Sequence, residues 1–296
     1  MWCGTIQMTG DVTVPEGLQL MIDAGTTVRI ASSKRLIVNG TLSAIGTADH
    51  RITFTRSGTS GTWGGIRFYN SADDASRVAY CDISYGYFGV YCNRANPTID
   101  HNNISDCSYG IATYYAAPEI HDNVLTDNVY DGIALKYADL TGQGTQVLYN
   151  NQVSGTSYSS GTPYGHGIFL QCSSPHFYQN TIHDNQSAGI YCYSQSNAEL
   201  RHQDEAFNEI YDNVDYGVWV NYSDNVYMGS YQDWLVFGTY NSTWGSASAV
   251  RVRADHNSTV MAEKNWWGKR LRRRRLVPAT ERFHGRLCTL AAGRRT

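Results

Sequence analysis

The sequence predicts an all-β fold, a single-stranded right-handed parallel β-helix (a solenoid) with an Asn ladder. Three observations predict it. A six-residue pattern, Asn-x-(Ile/Leu)-x-Asp-(Asn/Cys), recurs as NNISDC from Asn102, NVLTDN from Asn123, NTIHDN from Asn180 and NEIYDN from Asn208, with looser copies from Cys81 and Asn151. Most copies are followed, eight or nine residues after their start, by Gly89-Val90, Gly110-Ile111, Gly132-Ile133, Gly167-Ile168, Gly189-Ile190 and Gly217-Val218. Eight residues past five of these six glycines stands a breaker: Pro97, Pro118, Pro175, Asn197 or Asn225. The shortest period is 21 or 22 residues and holds three short apolar alternations. That is too short for a helix-pair repeat, and it fits one rung of a β-helix whose core is continuous only when rungs stack. Nine to eleven rungs are expected.

Composition agrees. Charged residues are 17% of the 296-residue chain, against an average near one quarter, while Gly reaches 28 and Tyr 22. This suits turns and strands, and is poor material for helices. No apolar run reaches spanning length, which excludes a helical membrane span. Residues 269–296 carry ten Lys+Arg and one acid, leaving 13 of the 23 basic and 25 of the 26 acidic residues to the rest. A body at −12 argues against a phosphate-backbone binder, so no nucleic-acid partner is expected. The basic segment shares neither rhythm nor composition with the repeats. Residues 1–268 are therefore expected to form the β-helix, and 269–296 a disordered or non-native tail.

Each marker has a physical reason. Asn side chains stacked at the inter-strand spacing can bond to one another and to turn backbone, and Asn tolerates the left-handed conformation of a sharp turn. The Asp at the fifth position (Asp106, Asp127, Asp184, Asp212) is expected to be another turn residue; oxygen-rich turns could alternatively hold calcium. No motif requires a cofactor. Seven cysteines leave at least one thiol free, and there is no CxxC pair. Counting from the Gly, offset +3 reads Cys92, Thr113, Leu135, Leu170, Cys192 and Val220, a core row facing inward. Cys92 and Cys192 then lie four rungs apart, roughly 19 Å, and cannot bond.

The chain resembles the right-handed parallel β-helix repeat proteins of the pectin-lyase-like superfamily over residues 2–268. GDVTVPEGLQLMIDAGTTVRI (10–30), LIVNGTLSAIGT (36–47), RITFTRS (51–57) and WGGIRF (63–68) resemble the opening strands of secreted bacterial members. NWWG (265–268) resembles the closing segment. The resemblance implies a secreted or cell-surface protein, and a monomer is expected. Its members include lyases, hydrolases, epimerases and non-catalytic surface proteins, so the reaction does not follow from the fold. No signal-peptide pattern opens the chain.

The outward rows carry the functional expectation. Offset +2 reads Tyr91, Ala112, Ala134, Phe169, Tyr191 and Trp219; offset +4 reads Asn93, Tyr114, Lys136, Gln171, Tyr193 and Asn221. Aromatic faces interleaved with amide and ammonium groups suit sugar rings. Tyr91, Tyr114, Lys136, Phe169, Gln171, Tyr191, Tyr193 and Trp219 are therefore the candidate polysaccharide-binding residues. The alternative is that these rings only cover one another. Insertions around Thr141–Thr145, at 154–164 and near Gln203–Phe207 would wall the strip. Offset −1 is expected in the turn before each strand, and stacks Tyr109, Asp131 and His166. Asp131 orienting His166 as a general base, with Tyr109 as proton donor, would suit proton removal beside a uronate carboxylate. Lys136, five residues from Asp131 and up to about 17 Å away in an extended strand, would neutralise a sugar acid one or two subsites away and would not share the chemical step. No carboxylate pair at hydrolase spacing falls on this face. The expected function is a carbohydrate-active protein cleaving or modifying a polysaccharide (lyase, hydrolase or epimerase type). The alternative is a non-catalytic glycan-binding adhesin or scaffold module.

Overall fold

The computed structural model describes residues 1–140, 146–158, 164–200, 208–223, 226–228, 251–255, 259–261, 282–284 and 288–289. The chain winds as a right-handed parallel β-solenoid through three sheets of nine, eleven and eleven strands. One coil shows the plan. Asn103–Ser105 lies in the first sheet, Tyr109–Tyr114 in the second and Glu119–His121 in the third. Each pairs in parallel with the strands one coil below and above: Ile104 stands between Ile83 and Leu125, and Ile111 between Val90 and Ile133. The only helical element among the described residues is a 3-10 turn at Ala138–Leu140, beside the insertion at 141–145.

The core is a bundle of stacked apolar columns. Ile83, Ile104, Leu125, Val153, Ile182 and Ile210 form one, and Val90, Ile111, Ile133, Ile168, Ile190 and Val218 another, all buried. Each such side chain contributes about 1.5–3 kcal/mol on leaving water. The whole +3 row is buried as expected, including Cys92 and Cys192, and Cys3, Cys81, Cys92, Cys107, Cys172 and Cys192 are all free thiols.

The corners are held by ladders of short polar side chains. Asn102, Asn123, Asn151, Asn180 and Asn208 pass Nδ2-to-Oδ1 hydrogen bonds up the solenoid, each 3.0 Å. Every Oδ1 also accepts a backbone N–H from the coil below, as Asn180 does from Asn151 at 3.0 Å. A second ladder, at the sixth position of the hexapeptide, joins Asn185 to Asn213 at 2.8 Å, and Asn128 caps the N–H of Cys107 at 3.1 Å. At the third corner Ser173 N–H donates to Ser196 Oγ (3.3 Å), and Ser196 N–H donates to Ser223 Oγ (3.0 Å). Asp106, Asp127, Asp184 and Asp212 all have left-handed backbone (φ 53°, 55°, 53° and 51°), the turn role expected of them.

The glycine column has a different cause. A Cβ on Gly132 would lie 2.3 Å from Val153 Cγ1 and 2.8 Å from the carbonyl oxygen of Gly167. The backbones approach too closely there for any side chain. Pairing is interrupted at these glycines, since Tyr109 pairs Asp131 and Ile111 pairs Ile133 with no glycine pair between. The pleat breaks, and the residue before each Gly joins the outer face although strict alternation would send it inward.

Arg282–His284 and Cys288–Thr289 pair antiparallel with Thr259–Met261 and Arg251–Asp255. The rest of the basic segment, Asn225, the closing motif at 265–268 and the insertion near Gln203–Phe207 lie outside the described residues.

Candidate functional site on the outer face of the second sheet

The outer face of the second sheet gathers the sequence-predicted residues in register: Tyr91 beside Ala112, Ala134 beside Phe169, and Tyr191 beside both Phe169 and Trp219. Tyr109 pairs with Asp131, and His166 occupies the corresponding place one coil on. These residues lie in or at the head of the strands, not in a separate turn, because of the break at the glycines.

Packing divides the face in two. Toward the C-terminal end the rings cover one another. Tyr191 stacks on Trp219 with centroids 4.2 Å apart and receives a hydrogen bond on its hydroxyl from Asn221 Nδ2 at 3.1 Å. Tyr191 and Phe169 are only 4% and 7% exposed, so they support the surface and do not offer free faces to a sugar. This corrects the expectation for those two. Stacking between coils hides a ring that single-strand alternation leaves outward. Trp219 stays half-buried, its indole N–H donating to Asp255 at 3.1 Å.

Toward the middle, Tyr91, Tyr193, Lys136 and Gln171 are half-buried and Tyr114 is exposed. Ala112 and Ala134 interrupt the aromatic column between Tyr91 and Phe169, two consecutive coils with no ring. Tyr109 and Asp131 flank this interval on one side, Tyr114 and Lys136 on the other. The Lys136 ammonium lies 5.4 Å from the Phe169 ring centroid. A second cation, Arg67, sits over Phe88 and Tyr91 at 5.0 and 5.8 Å. Sequence reasoning missed it, although Gly65-Ile66 carries the same signal and places Arg67 at offset +2, paired with Tyr91. Tyr130, Tyr158 and Tyr164 form a further cluster against Tyr109, Tyr130 and Tyr164 being 5.1 Å apart. The two ends of the 154–164 insertion thus approach the site, while 159–163 lie outside the described residues.

Asp131 and His166 meet differently from the expected pair. Asp131 Oδ1 accepts the backbone N–H of His166 at 3.2 Å and does not hold the imidazole. The His166 ring packs against Tyr191, Trp219 and Phe169, with centroids at 4.8, 6.2 and 6.3 Å. Its Nδ1 accepts the N–H of Ala188 at 3.2 Å, which places the ring proton on Nε2. Nε2 has no hydrogen-bond partner, and the residue is fully buried. The coil geometry explains this: His166 lies under the next coil's aromatic residues, and the shortest route to Asp131 is through its amide.

Burial sets the protonation states. Asp131, 1% exposed, is pushed up to about 8, against weaker lowering by the His166 amide and the Lys136 charge. His166 is pushed down to about 3 by burial alone. Tyr109 is raised by burial, with Tyr164 and Asp131 adding to it. Near neutrality the cluster is a mostly protonated carboxyl, a neutral imidazole and a neutral phenol. Of the three, only Asp131 titrates close to pH 7, as an acid–base group requires.

The family model described as "Right handed beta helix region" matches residues 43–204, more than half of the chain. The chain belongs to the right-handed β-helix family. Among solved structures, this β-helix is similar to the periplasmic alginate epimerase AlgG, with 14% identity and a TM-score of 0.50 over 80% of this chain and 64% of that one. It is also similar to the A-module of the Azotobacter vinelandii mannuronan C-5 epimerase AlgE4, with 17% identity and a TM-score of 0.47 over 82% and 68%. The β-helix thus spans somewhat under two thirds of the first of these chains. At such identities the likeness is one of fold. No curated protein sequence matches this one significantly. Among the described residues no helix is long and apolar enough to cross a membrane.

Proposed function

We propose that this β-helix is a carbohydrate-active protein, acting outside the cytoplasm as a monomer, that modifies an acidic polysaccharide laid along the outer face of the second sheet. The observation that carries the reading is the gathering, on one face, of two cations (Arg67, Lys136), half-exposed rings (Tyr91, Tyr193, Trp219) and a carboxyl that titrates near neutrality beside a tyrosine (Asp131, Tyr109). The rest of the body is acidic, so this cationic strip is where an anionic chain is least repelled. The fold likeness to an alginate epimerase agrees with a uronate polymer as the substrate class.

In this reading Lys136, at the far end of the strand that Asp131 opens, holds the carboxylate of a sugar one or two subsites along the polymer, and the reacting uronate presents the C–H beside its own carboxylate to Asp131. Asp131 in its ionised form takes that proton, and the electron pair moves into the carboxylate as an enolate. Return of a proton from Tyr109 to the opposite face gives the epimer. Expulsion of the β-glycosidic oxygen, protonated by the same tyrosine, gives an unsaturated uronate and a new chain end. His166 is a positioning residue, holding Asp131 through its amide. Substrate must part the tyrosines packed around Tyr109 to reach the carboxyl.

The burial of Asp131 and His166 favours a second reading, in which the same face binds glycan without reaction. Both are tested by incubation with alginate, polygalacturonate, hyaluronate and a neutral glucan in D2O, with and without calcium. Deuterium entering the sugar or absorbance at 235 nm, lost in Asp131→Asn, supports catalysis. Binding that survives in Asp131→Asn without either signal supports the binding module. Absence of both binding and product on every acidic polymer refutes the proposal.

A further inference from the structure

The corner between the third and first sheets holds a cluster that the carbohydrate site does not use. Successive coils place Tyr80, His101, Asp122, Asn150 and Gln179 at one left-handed turn position, with φ between 51° and 57°. The residues before them are Ala79, Asp100, His121, Tyr149 and Tyr178. Because two adjacent positions alternate between coils, two histidines separated by 20 residues converge. His101, His121 and Asp122 each present a ligand atom, and these atoms all lie within 4.8 Å of one another. The imidazole centroids are 6.1 Å apart.

The surroundings orient the rings. His101 Nδ1 is 2.8 Å from Asp100 Oδ2, which leaves Nε2 as that ring's available ligand atom. Asp100 has a fully buried side chain and is fixed by Arg77, whose Nε and Nη2 donate to its two oxygens at 2.7 Å each. Tyr80 stacks on His101 at 4.5 Å, and Tyr149 lies parallel to His121 at 4.5 Å. His121 Nδ1 is 2.6 Å from Asp122 Oδ2, and its Nε2 is 3.7 Å from Glu119 Oε1. A carboxylate behind a histidine, itself held by a second-layer partner, is how ligating imidazoles are set and kept in one tautomer.

We propose that His101, His121 and Asp122 form a site for a first-row divalent transition metal such as zinc, with water in the remaining positions. Two imidazoles and one carboxylate suit Zn2+, Ni2+ or Cu2+ and not Ca2+, which takes oxygen ligands. Metal–ligand bonds of about 2.0–2.2 Å bring tetrahedral ligand atoms to roughly 3.4 Å. Closing the cluster therefore needs side-chain movements of only about 1 Å, at groups that are partly exposed.

The chain supplies its own control. His183 and Asp184 repeat the His–Asp contact at 2.6 Å, but with no second imidazole among the described residues. It also supplies conservative variants, since Gln179 and Asn150 already occupy the positions equivalent to His101 and Asp122. The test is titration of untagged protein with ZnCl2 by calorimetry, in a Cys3→Ser background because that thiol is exposed. The expected result is one zinc lost or weakened at least about tenfold in His101→Gln, His121→Gln and Asp122→Asn, and kept in His183→Gln. An anomalous-difference map from a zinc-soaked crystal reads the same site without any variant. No binding by the parent protein, equal binding by all variants, equal weakening in His183→Gln, or an ion at another location overturns the proposal.

Discussion

Asp131→Asn isolates the cost of a buried carboxyl. Burial moves Asp131 from 3.8 to about 8 and His166 from 6.5 to about 3. Stability changes with pH by about 1.4 kcal/mol per unit for each proton by which the unfolded and native states differ. Between pH 3.8 and about 8 the native state keeps a proton on Asp131 that the unfolded chain has lost. The stabilisation from this group is complete below 3.8 and is lost as pH rises to about 8. Between about 3 and 6.5 the unfolded chain holds a proton on His166 that the native state lacks. That contribution is complete above 6.5 and is lost as pH falls to about 3. The two slopes cancel from 3.8 to 6.5, and from 6.5 to 8 only Asp131 acts, costing about 2 kcal/mol. Asn keeps an oxygen for the His166 amide and carries no charge. The stability difference between Asp131→Asn and wild type should therefore widen steadily in favour of the variant, by about 6 kcal/mol between pH 3.8 and 8. His166→Gln should give the mirror image, gaining on wild type as pH falls from 6.5. Urea unfolding at half-unit steps from pH 4 to 8.5 measures both, and taking differences removes the other titrating groups. Curves for Asp131→Asn and wild type that stay parallel over this range would refute the assignment of a buried, raised carboxyl.

Asn180→Ala removes the middle of a ladder, taking the acceptor from the buried Asn151 N–H and the Nδ2 donor from the Leu148 carbonyl and Asn208 Oδ1, so it should cost about 3 kcal/mol or more, read as a fall in thermal midpoint. Gly132→Ala drives a Cβ into the Val153 side chain and the Gly167 carbonyl and should destabilise by several kcal/mol, whereas Gly10→Ala, with nothing within 4 Å, should leave the melting curve unchanged. Lys136→Gln should weaken binding of acidic oligosaccharides about tenfold, or about 1.4 kcal/mol, and leave neutral glycans unaffected in the same calorimetric titration. Tyr191→Ala should lower stability by about 3–5 kcal/mol because it empties a packed site against Trp219 and His166, a loss that thermal unfolding without any sugar would register.

The coil was legible because its corners use identical side chains for one job. Asn102, Asn123, Asn180 and Asn208 bond to their own kind one coil away, so the chemistry that holds the fold is also the repeat that the eye finds. The core row from Cys92 to Val220 followed from simple alternation. The site was legible only in its columns. Alternation placed Tyr191 and Phe169 outward correctly, but their burial depends on Trp219 and Tyr193 from later coils. The glycine column breaks the pleat, which turns Phe88, Tyr109 and Asp131 outward, and a two-residue period has no term for that. The same break aims the His166 amide, not its ring, at Asp131. The His101–His121 pair escaped notice because its members sit at different positions of the repeat, one at the turn and one at the strand end.

The central claim is that an acidic polysaccharide lies along the second sheet between Arg67 and Trp219. A crystal structure with a bound uronate oligosaccharide tests it most directly. The expected density crosses Ala112 and Ala134, with a sugar carboxylate at Lys136 and rings against Tyr91 and Tyr193. Ordered sugar seated on the first or third sheet, with this face bare, would contradict it.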